Sequence, residues 1–352
     1  MLRCSRCGKA LPETFRLSCD CGGTLFVERS YERFKPNEFL DLRRYLKYLP
    51  MGTVPSPVPA VTPVSGRNVD GIEAIFKLDY LQPSGSFKDR GTWVTVAKLV
   101  EEGVDEVVLD SSGNAALSFA LYGPPSGVRV HAFVSGSTSP GKLHLLRRLG
   151  AELHLTAGDR MKVHEEAVEF AEREGIAYVS HWLNPYFIEG TKTVAFEAYE
   201  QVGVPDYVLT PTGSGTLLLG LWKGFEELRK MGEIDELPKL VAVQASGYES
   251  LCERSGERNE LAEGIAIPEP PRLGDIERAL RETDGLCVSV GRAETVEALN
   301  WLIERGFLVE PTSAVVLAAL WKLRERIAAG SRVLLPLTGS GLKVFKSGRQ
   351  LP

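Results

Sequence analysis

The sequence lacks long apolar runs and long blocks of one charge. No uninterrupted apolar stretch approaches the roughly 20 residues that a membrane-spanning helix needs. The 41 Lys and Arg residues nearly balance 46 Asp and Glu residues, which leaves a net charge of −5. This balance gives no electrostatic reason to expect a nucleic acid or an anionic membrane as a partner. The first ten residues also lack the apolar core of a signal peptide, so we expect a cytoplasmic protein.

The composition is otherwise that of an ordinary globular protein. Apolar residues make up 43% of the chain and charged residues 25%, which excludes wholesale disorder and a fibrous repeat. We find no internal repeat. A length of 352 residues predicts two domains, with room for a small appendage.

Cysteine is scarce outside the first 21 residues. Two of the six cysteines, Cys252 and Cys287, stand alone, and the other four are Cys4, Cys7, Cys19 and Cys21. Without a secretion signal we expect reduced thiols, so the cluster of four predicts a metal site rather than disulfides.

Residues 1–28 carry these four cysteines in two knuckles and predict a small ribbon. Four thiolates complete the tetrahedral shell of a structural zinc ion and leave no open position for catalysis. The second knuckle is Cys-x-Cys, which is tighter than the commoner Cys-x-x-Cys, so a metal-free knuckle stays open as an alternative. His144, His164 and His181 have no metal-ligand spacing, and none is assigned to zinc.

After a Pro-rich linker at 51–66, short β-branched runs alternate with segments of helical periodicity. The predicted strands are AIFKLDY, DEVVLDSS, RVHAFVSG, AELHLTAG, AYVSHW, DYVLTPT, KLVAVQAS and RVLLPLTG. The predicted helices are PGKLHLLRRLGA, MKVHEEAVEFAEREG, KTVAFEAYEQVG, GLWKGFEELRKMG, TVEALNWLIERG and SAVVLAALWKLRERIAAG. Strands and helices in alternation indicate parallel βαβ units, so we predict an α/β fold with open parallel sheets covered by helices.

Four segments at predicted strand ends are rich in Gly, Ser or Thr. They read PSGSFKDRG, DSSGNAALS, TPTGSGTLLLG and LPLTGSGLK. Ligands bind at the carboxyl ends of strands in such sheets, and free NH groups at a helix start favour an anion. GSGTLLLG has neither the Lys-Ser or Lys-Thr ending of a nucleotide P-loop nor the spacing of the dinucleotide motif. One such loop is typical of an ordinary turn, whereas four on one sheet edge indicate a ligand site.

In this order, the four loops resemble those of the pyridoxal-phosphate enzymes of the tryptophan-synthase-β fold, or fold type II. They are most similar to those of the threonine synthase family. The resemblance runs from about residue 60 to about residue 345, and the cysteine cluster with CDCGGTL resembles the archaeal members. It implies a two-lobed fold with pyridoxal 5'-phosphate between the lobes, and a homodimer.

The resemblance implies a role for each loop. Lys88 is the Schiff-base lysine, which bonds to the cofactor aldehyde and then serves as base at Cα. Asn114 hydrogen-bonds the cofactor's ring hydroxyl. Thr338 faces the pyridine nitrogen, where a neutral hydroxyl suits elimination and replacement better than transamination. The cofactor phosphate is held by Gly213, Ser214, Gly215 and Thr216.

The sequence departs from the family where a substrate phosphate should bind. The family carries hydrogen-bond donors at positions that are here Ala115, His181, Trp182, Phe187 and Leu217. Several missing charge-assisted bonds, each worth roughly 1.5–3 kcal/mol, should weaken binding of a phosphate by orders of magnitude. The resemblance places three further residues in the same pocket, namely Ser111, Ser112 and Lys142. Alternatively, a substrate phosphate is bound from other positions, such as Lys142, Arg90 or His181.

Three functional interpretations follow. The first is a threonine synthase, which converts O-phospho-L-homoserine and water to L-threonine and phosphate. The second is a paralogue acting on an unphosphorylated amino acid, such as a serine or threonine dehydratase or a β-replacement synthase. The third is a non-catalytic ribbon protein, which the survival of all four loops disfavours.

We predict a ribbon at 1–28, a large cofactor-binding domain from 29–92 and 190–352, and a small mobile domain at 93–189.

Overall fold

A computed structural model describes residues 1–111, 113–136, 138, 140–157 and 160–343. The chain divides into two compact units. The first unit contains Met1–Ser30, Lys35–Ala60 and Lys88–Thr191. The second contains Tyr31–Phe34, Val61–Phe87 and the chain from Lys192 onward. The predicted domain limits and the predicted mobility of residues 93–189 stay predictions.

Thirteen strands and ten α-helices are assigned within the described residues. The strands are β1 (Leu2–Cys4), β2 (Ala10–Leu11), β3 (Leu25–Val27), β4 (Val64–Val69), β5 (Ile72–Lys77), β6 (Glu106–Leu109), β7 (Arg129–Ser135), β8 (Glu152–Thr156), β9 (Ala177–Tyr178), β10 (Tyr207–Pro211), β11 (Lys239–Ala245), β12 (Leu286–Val290) and β13 (Arg332–Pro336). The helices are α1 (Lys88–Glu101), α2 (Asn114–Tyr122), α3 (Pro140–Arg148), α4 (Arg160–Glu174), α5 (Pro185–Thr191), α6 (Thr193–Val202), α7 (Thr216–Lys230), α8 (Leu273–Glu282), α9 (Arg292–Glu304) and α10 (Pro311–Leu323). Within the described ranges, no helix combines the length and apolarity needed to cross a bilayer.

The first unit contains two sheets. The ribbon is an antiparallel sheet in the order β2-β1-β3, with Cys4 opposite Leu25. The second sheet is parallel, in the order β8-β7-β6-β9. Its central strands are rich in buried Val, which suits strands covered on both faces.

The second unit contains a six-stranded sheet in the order β12-β11-β10-β13-β5-β4. All neighbouring pairs are parallel except β4 and β5, which form an antiparallel hairpin at one edge. Helix α10 carries a fully buried run of Ala, Val and Leu into the core of this unit. Such an all-apolar helix is stable only when it is buried.

The predicted α/β class with open parallel sheets is confirmed, and each of the eight predicted strands overlaps a strand of the structure. Outside the ribbon, β4 and β12 were not predicted. β4 reads VSGRNV, which is polar and contains Gly, and it is stabilised by its pairing with β5 rather than by an apolar pattern. β12 is a five-residue edge strand with little signal of its own.

A disulfide joins Cys252 to Cys287, and Cys287 lies on the edge strand β12. The expectation of reduced thiols is therefore wrong for this pair. The two residues are 35 positions apart in the chain, and only the fold brings their Cα atoms within 5.4 Å. Both sulfurs also lie 3.6 Å from the side-chain oxygen of Gln244 on β11.

Candidate active site

The carboxyl ends of three adjacent strands form one face of the second unit. β10 pairs with β13, and β13 pairs with β5, all in parallel. Since parallel strands end at the same sheet edge, the segments that follow them come together there. These segments are the glycine loop Thr212–Gly215, the Thr338 segment and the turn that leads to Lys88. Three of the four predicted loops thus converge as expected.

The loop after β10 has the donors that an anion needs. Gly215 adopts φ +79° and directs the chain into α7, whose start is capped by no side chain of the described residues. The Ser214 and Thr216 hydroxyls are buried and lie 3.5 Å apart. NH groups at a helix start, together with two hydroxyls, match the acceptors of a phosphate.

Packing also requires glycine in this loop. A Cβ atom at Gly213 would lie 2.8 Å from the Cα atom of Ile265, and one at Gly215 would overlap the side chain of Ile276. The segment from Glu263 to Ile276 therefore lies directly against the loop. This close approach of a neighbouring segment was not predicted from the sequence.

Thr338 is buried, and both its backbone and its side chain are held. Its carbonyl accepts a hydrogen bond of 3.0 Å from the NH of Phe87, the residue immediately before Lys88. Its hydroxyl lies 3.2 Å from the Ser313 hydroxyl. The Glu310 carboxylate lies against Gly339, since a Cβ atom there would overlap it. Sequence reasoning missed Ser313; its only signal is a hydroxyl at the start of an apolar helix.

In the first unit, Lys88 begins α1 and its side-chain nitrogen lies 5.5 Å from the centre of the Phe187 ring. The Phe187 ring lies 5.8 Å from that of His181, which is 5.7 Å from that of Trp182. Phe187 is fully buried, and a side chain at Gly91 would overlap it. The structure therefore brings three predicted pocket residues together beside the predicted catalytic lysine.

The SSGN segment follows β6, with Asn114 as the first residue of α2 and Ala115 buried behind it. The Ser111 hydroxyl accepts the NH of Gly113 at 3.3 Å, and Ser112 lies outside the described residues. Lys142 is half-buried in the first turn of α3. In the second unit, Leu217 is buried in the first turn of α7, beside the glycine loop.

A polar network that was not predicted lies immediately before this segment. Asp110 accepts a hydrogen bond of 2.7 Å from the Tyr178 hydroxyl through one carboxylate oxygen. Its other carboxylate oxygen lies 3.0 Å from Nδ1 of His164 on α4. His164 thus has Asp110 as a partner in the fold.

The four amino-terminal cysteines converge as predicted. Their sulfurs all lie within 4.8 Å of one another, with 3.6 Å between Cys4 and Cys21 and 3.8 Å between Cys7 and Cys19. A tetrahedral site with Zn–S bonds of about 2.3 Å has sulfur pairs about 3.8 Å apart. The residues therefore fit a structural zinc ion. Gly23 leaves room for them, since a Cβ atom there would lie 2.6 Å from the Cys4 sulfur.

The electrostatics of the cluster favour a bound cation. Burial raises the pKa of Cys4, but backbone NH groups of Cys7 and Arg6 outweigh it and bring the pKa down to about 6. The NH of Lys9 lowers the pKa of Cys7, but the sulfurs of Cys21 and Cys4 outweigh it and raise the pKa to about 11. Like charges this close suppress one another, and a divalent cation removes that penalty.

The ribbon packs on the helix that carries Phe187. The hydroxyl of Tyr186 donates a hydrogen bond of 3.0 Å to the carbonyl of Thr14, and its ring stacks on that of Phe15. The NH of Phe15 donates to the Glu102 carboxylate at 2.8 Å. Burial raises the pKa of Tyr186, so its hydroxyl remains a donor at neutral pH.

Known proteins are similar to this chain in sequence and in fold. A profile of the family described as "Pyridoxal-phosphate dependent enzyme" matches residues 55–339. The threonine synthase of Methanocaldococcus jannaschii is 33% identical over 97% of this chain and 92% of its own length. The threonine synthase of a Synechocystis strain is 32% identical over 84% and 79%, respectively. Threonine deaminase isoform 2 of Solanum lycopersicum superposes with a TM-score of 0.71 at 20% identity, over 89% of this chain and 95% of that one.

These similarities confirm the family predicted from the four loops. Each unit contains groups of the kind that this family's cofactor needs. The second unit has the helix start of α7 and the Thr338 hydroxyl, and the first unit has a lysine at the start of α1. The role assigned to each individual residue stays a prediction.

Proposed function

Because the chain belongs to the pyridoxal-phosphate dependent enzyme family, we propose that it catalyses an elimination or replacement reaction on an amino-acid side chain, of the threonine synthase type. The substrate of this proposal is O-phospho-L-homoserine, which reacts with water to give L-threonine and phosphate. The threonine synthases at 32–33% identity support it, since the similarity extends over most of both chains.

The convergence of three loops on one sheet edge carries the proposal. The glycine loop, Thr338 and the turn before Lys88 follow neighbouring parallel strands. Phe87, which donates its NH to the Thr338 carbonyl, fixes where Lys88 leaves this edge. A surface lysine in an ordinary turn would need none of these restraints.

The cofactor, when bound, withdraws electrons from the substrate's Cα atom and so makes its proton acidic. Lys88 would take that proton, and the loss of a proton from Cβ would expel the phosphate from Cγ. One proton would then return to Cγ, which becomes the methyl group of threonine. Water would add its hydroxyl group at Cβ and give its other hydrogen to the released phosphate, and the Cα proton would return from Lys88. Ser214, Thr216 and the NH groups at the start of α7 would hold the cofactor phosphate. Asn114 would orient the cofactor ring by a hydrogen bond to the hydroxyl group of that ring.

The choice of Thr338 narrows the reaction class. A hydroxyl is neutral at all relevant pH values, so it does not stabilise a protonated pyridine ring as an aspartate would. Weaker electron withdrawal favours elimination and replacement over transamination. This agrees with the threonine synthases and the threonine deaminase among the similar proteins.

The proposal is tested by measuring phosphate release and threonine formation from O-phospho-L-homoserine. Lys88→Ala should abolish both, because the proton acceptor at Cα is gone. Lys162→Ala removes an exposed lysine on α4 and is the matched control. Turnover that persists in Lys88→Ala would overturn the assignment of the base.

A second candidate is an amino-acid substrate without a phosphate group. It is favoured by the Phe187 ring beside Lys88, at a position where the family carries a phosphate donor. Ala115 and Leu217, at two further such positions, are buried and apolar. An anionic end group would meet unfavourable desolvation against these side chains.

A substrate panel separates the two candidates. It should contain O-phospho-L-homoserine, O-phospho-L-serine, L-serine and L-threonine, assayed for phosphate, ammonia and keto acid. Robust turnover of O-phospho-L-homoserine supports the threonine synthase and overturns the apolar-pocket candidate. Turnover of L-serine or L-threonine alone supports the apolar-pocket candidate and overturns the threonine synthase.

The implied homodimer is tested separately, by light scattering on the purified protein.

A further inference from the structure

Ser313 places a buried hydroxyl next to Thr338. It lies in the first turn of α10, where an apolar run of Ala, Val and Leu follows. Its side-chain oxygen is 2.9 Å from the NH of Gly339, 3.2 Å from the Thr338 hydroxyl and 3.3 Å from the Gly339 carbonyl. Ser313 is fully buried and Thr338 is 3% exposed, so water does not compete for these bonds.

The chemistry of the partners sets the direction of each bond. The Gly339 NH can only donate, so the Ser313 oxygen accepts from it. Ser313 has one proton to give, and the Gly339 carbonyl already accepts the NH of Glu310 at 2.9 Å. The Thr338 hydroxyl is nearer than that carbonyl, and in the described part of the chain its side chain has no other hydrogen-bond partner. The shorter distance and the absence of this other partner favour donation from Ser313 to Thr338, with the more distant Gly339 carbonyl as the weaker acceptor.

We propose that Ser313 is a positioning residue that fixes Thr338 as a hydrogen-bond donor to the cofactor's ring nitrogen. This inference rests on the proposed function. A hydroxyl that already accepts from Ser313 directs its own proton away from Ser313. The ring nitrogen can then only accept, and it stays unprotonated. The neutral ring follows from a chain of bonds that begins at the Gly339 NH.

Loss of the Ser313 hydroxyl removes this direction. Thr338 is then free to rotate and to accept a hydrogen bond from a protonated ring nitrogen. A hydroxyl at position 338 would therefore no longer exclude the protonated ring. The protonation state of the ring nitrogen therefore depends on both Ser313 and Thr338, although only Thr338 was predicted to face the ring.

Two neighbouring groups provide controls. Thr312 lies next to Ser313 in the first turn of α10, and its hydroxyl accepts a hydrogen bond of 3.1 Å from the NH of Gly264. Like Ser313→Ala, Thr312→Ala therefore removes a hydroxyl that accepts a backbone NH. It leaves the Ser313 and Thr338 pair intact. Glu310 immediately precedes α10, and its carboxylate lies against Gly339. Glu310→Gln separates the field of that charge from the hydrogen-bond direction.

The experiment is nitrogen NMR of the holoenzyme reconstituted with ring-labelled pyridoxal 5'-phosphate, recorded as a function of pH. We expect the wild-type signal at the position of an unprotonated pyridine throughout the pH range in which the protein is folded. Ser313→Ala should show a titration to the protonated position, and Ser313→Thr should restore the wild-type signal. Thr312→Ala and Glu310→Gln should resemble the wild type.

Ser313→Cys is the second variant, because Ser313→Ala leaves the buried Gly339 NH without an acceptor and so weakens folding. A thiol still accepts from that NH but donates poorly, so a partial titration is expected. A wild-type signal in the alanine or cysteine variant would overturn the inference and leave the proposed function standing. A wild-type protein that binds no cofactor would overturn both.

Discussion

The Phe187 ring lies 5.5 Å from the side-chain nitrogen of Lys88. An aromatic face at this distance attracts an ammonium group and excludes water from one side of it. Phe187, one of the residues at which this chain departs from the family pattern, is thus a neighbour of Lys88, the predicted base. This contact therefore joins a residue of the predicted substrate pocket to the predicted base.

Replacing Phe187 by arginine should shift the preference toward phosphorylated substrates. A charge-assisted bond to phosphate is worth roughly 1.5–3 kcal/mol, so we expect the ratio of kcat/KM for O-phospho-L-homoserine to that for L-serine to rise by about tenfold or more. Phe187→Leu keeps the site apolar and is the control. An unchanged ratio in a folded arginine variant would show that this residue does not set the preference.

Removing the hydroxyls of the glycine loop should weaken cofactor binding. Ser214→Ala and Thr216→Val each remove a hydrogen bond to a phosphate, and we expect about a tenfold loss of affinity for each. The measurement is an absorbance titration of the apoprotein with pyridoxal 5'-phosphate. Thr210→Val removes a buried hydroxyl of β10 that has no hydrogen-bond partner among the described residues, and it should leave the affinity unchanged.

The ribbon should contain one zinc ion per chain, measured by elemental analysis of the purified protein. Gly23→Ala should lower the zinc content, because the added methyl group occupies the space of the Cys4 sulfur. Gly66→Ala, where a Cβ atom meets no neighbour within 4 Å, is the matched control. Zinc loss should lower the melting temperature and leave the pH profile of the reaction unchanged. A changed profile would contradict a structural role.

Glu227 should make the stability of the second unit depend on pH. Its carboxylate is buried, 2.8 Å from the Lys192 nitrogen and 3.0 Å from that of Lys223. Burial raises the pKa of Glu227, but the two ammonium groups outweigh it and hold the pKa below its usual 4.5. The unfolded chain therefore takes up the proton first as pH falls, and the stabilisation is lost below about pH 4.5.

Glu227→Gln is the test of this interaction. Breaking a buried ion pair costs about 3 kcal/mol at pH 7, measured by urea unfolding. The difference from the wild type should shrink as pH falls through the window below 4.5, since the wild-type carboxylate is then neutral as well. A difference that does not depend on pH would indicate a loss of packing rather than of charge.

The sequence predicted the elements whose periodicity is strong, and it missed those that depend on the surrounding fold. Helix α10 shows a long apolar run and was predicted, whereas α1 was not. α1 contains Gly91 and several Thr and Val residues, which are poor helix formers. Most of its residues from Asp89 to Leu99 are buried, and Gly91 allows the close approach of Phe187. No local pattern records such contacts.

The convergence of the four amino-terminal cysteines was predicted, because a cluster of thiols in a short segment has one plausible task. The roles assigned to the glycine loop and to Thr338 stay predictions. Ser313 and the Asp110 network were missed because each acts through a partner distant in the chain: Ser313 and Thr338 are 25 positions apart. Hydrogen bonds of this kind are determined by the packing of elements, which composition and spacing do not contain.

The central claim is that Lys88 forms the covalent link to the cofactor. The most direct measurement is borohydride reduction of the protein loaded with pyridoxal 5'-phosphate, followed by mass spectrometry of its peptides. We expect the added mass on the peptide that contains Lys88, and we expect no added mass in Lys88→Ala. A label on another lysine, or no label on the wild-type protein, would contradict it.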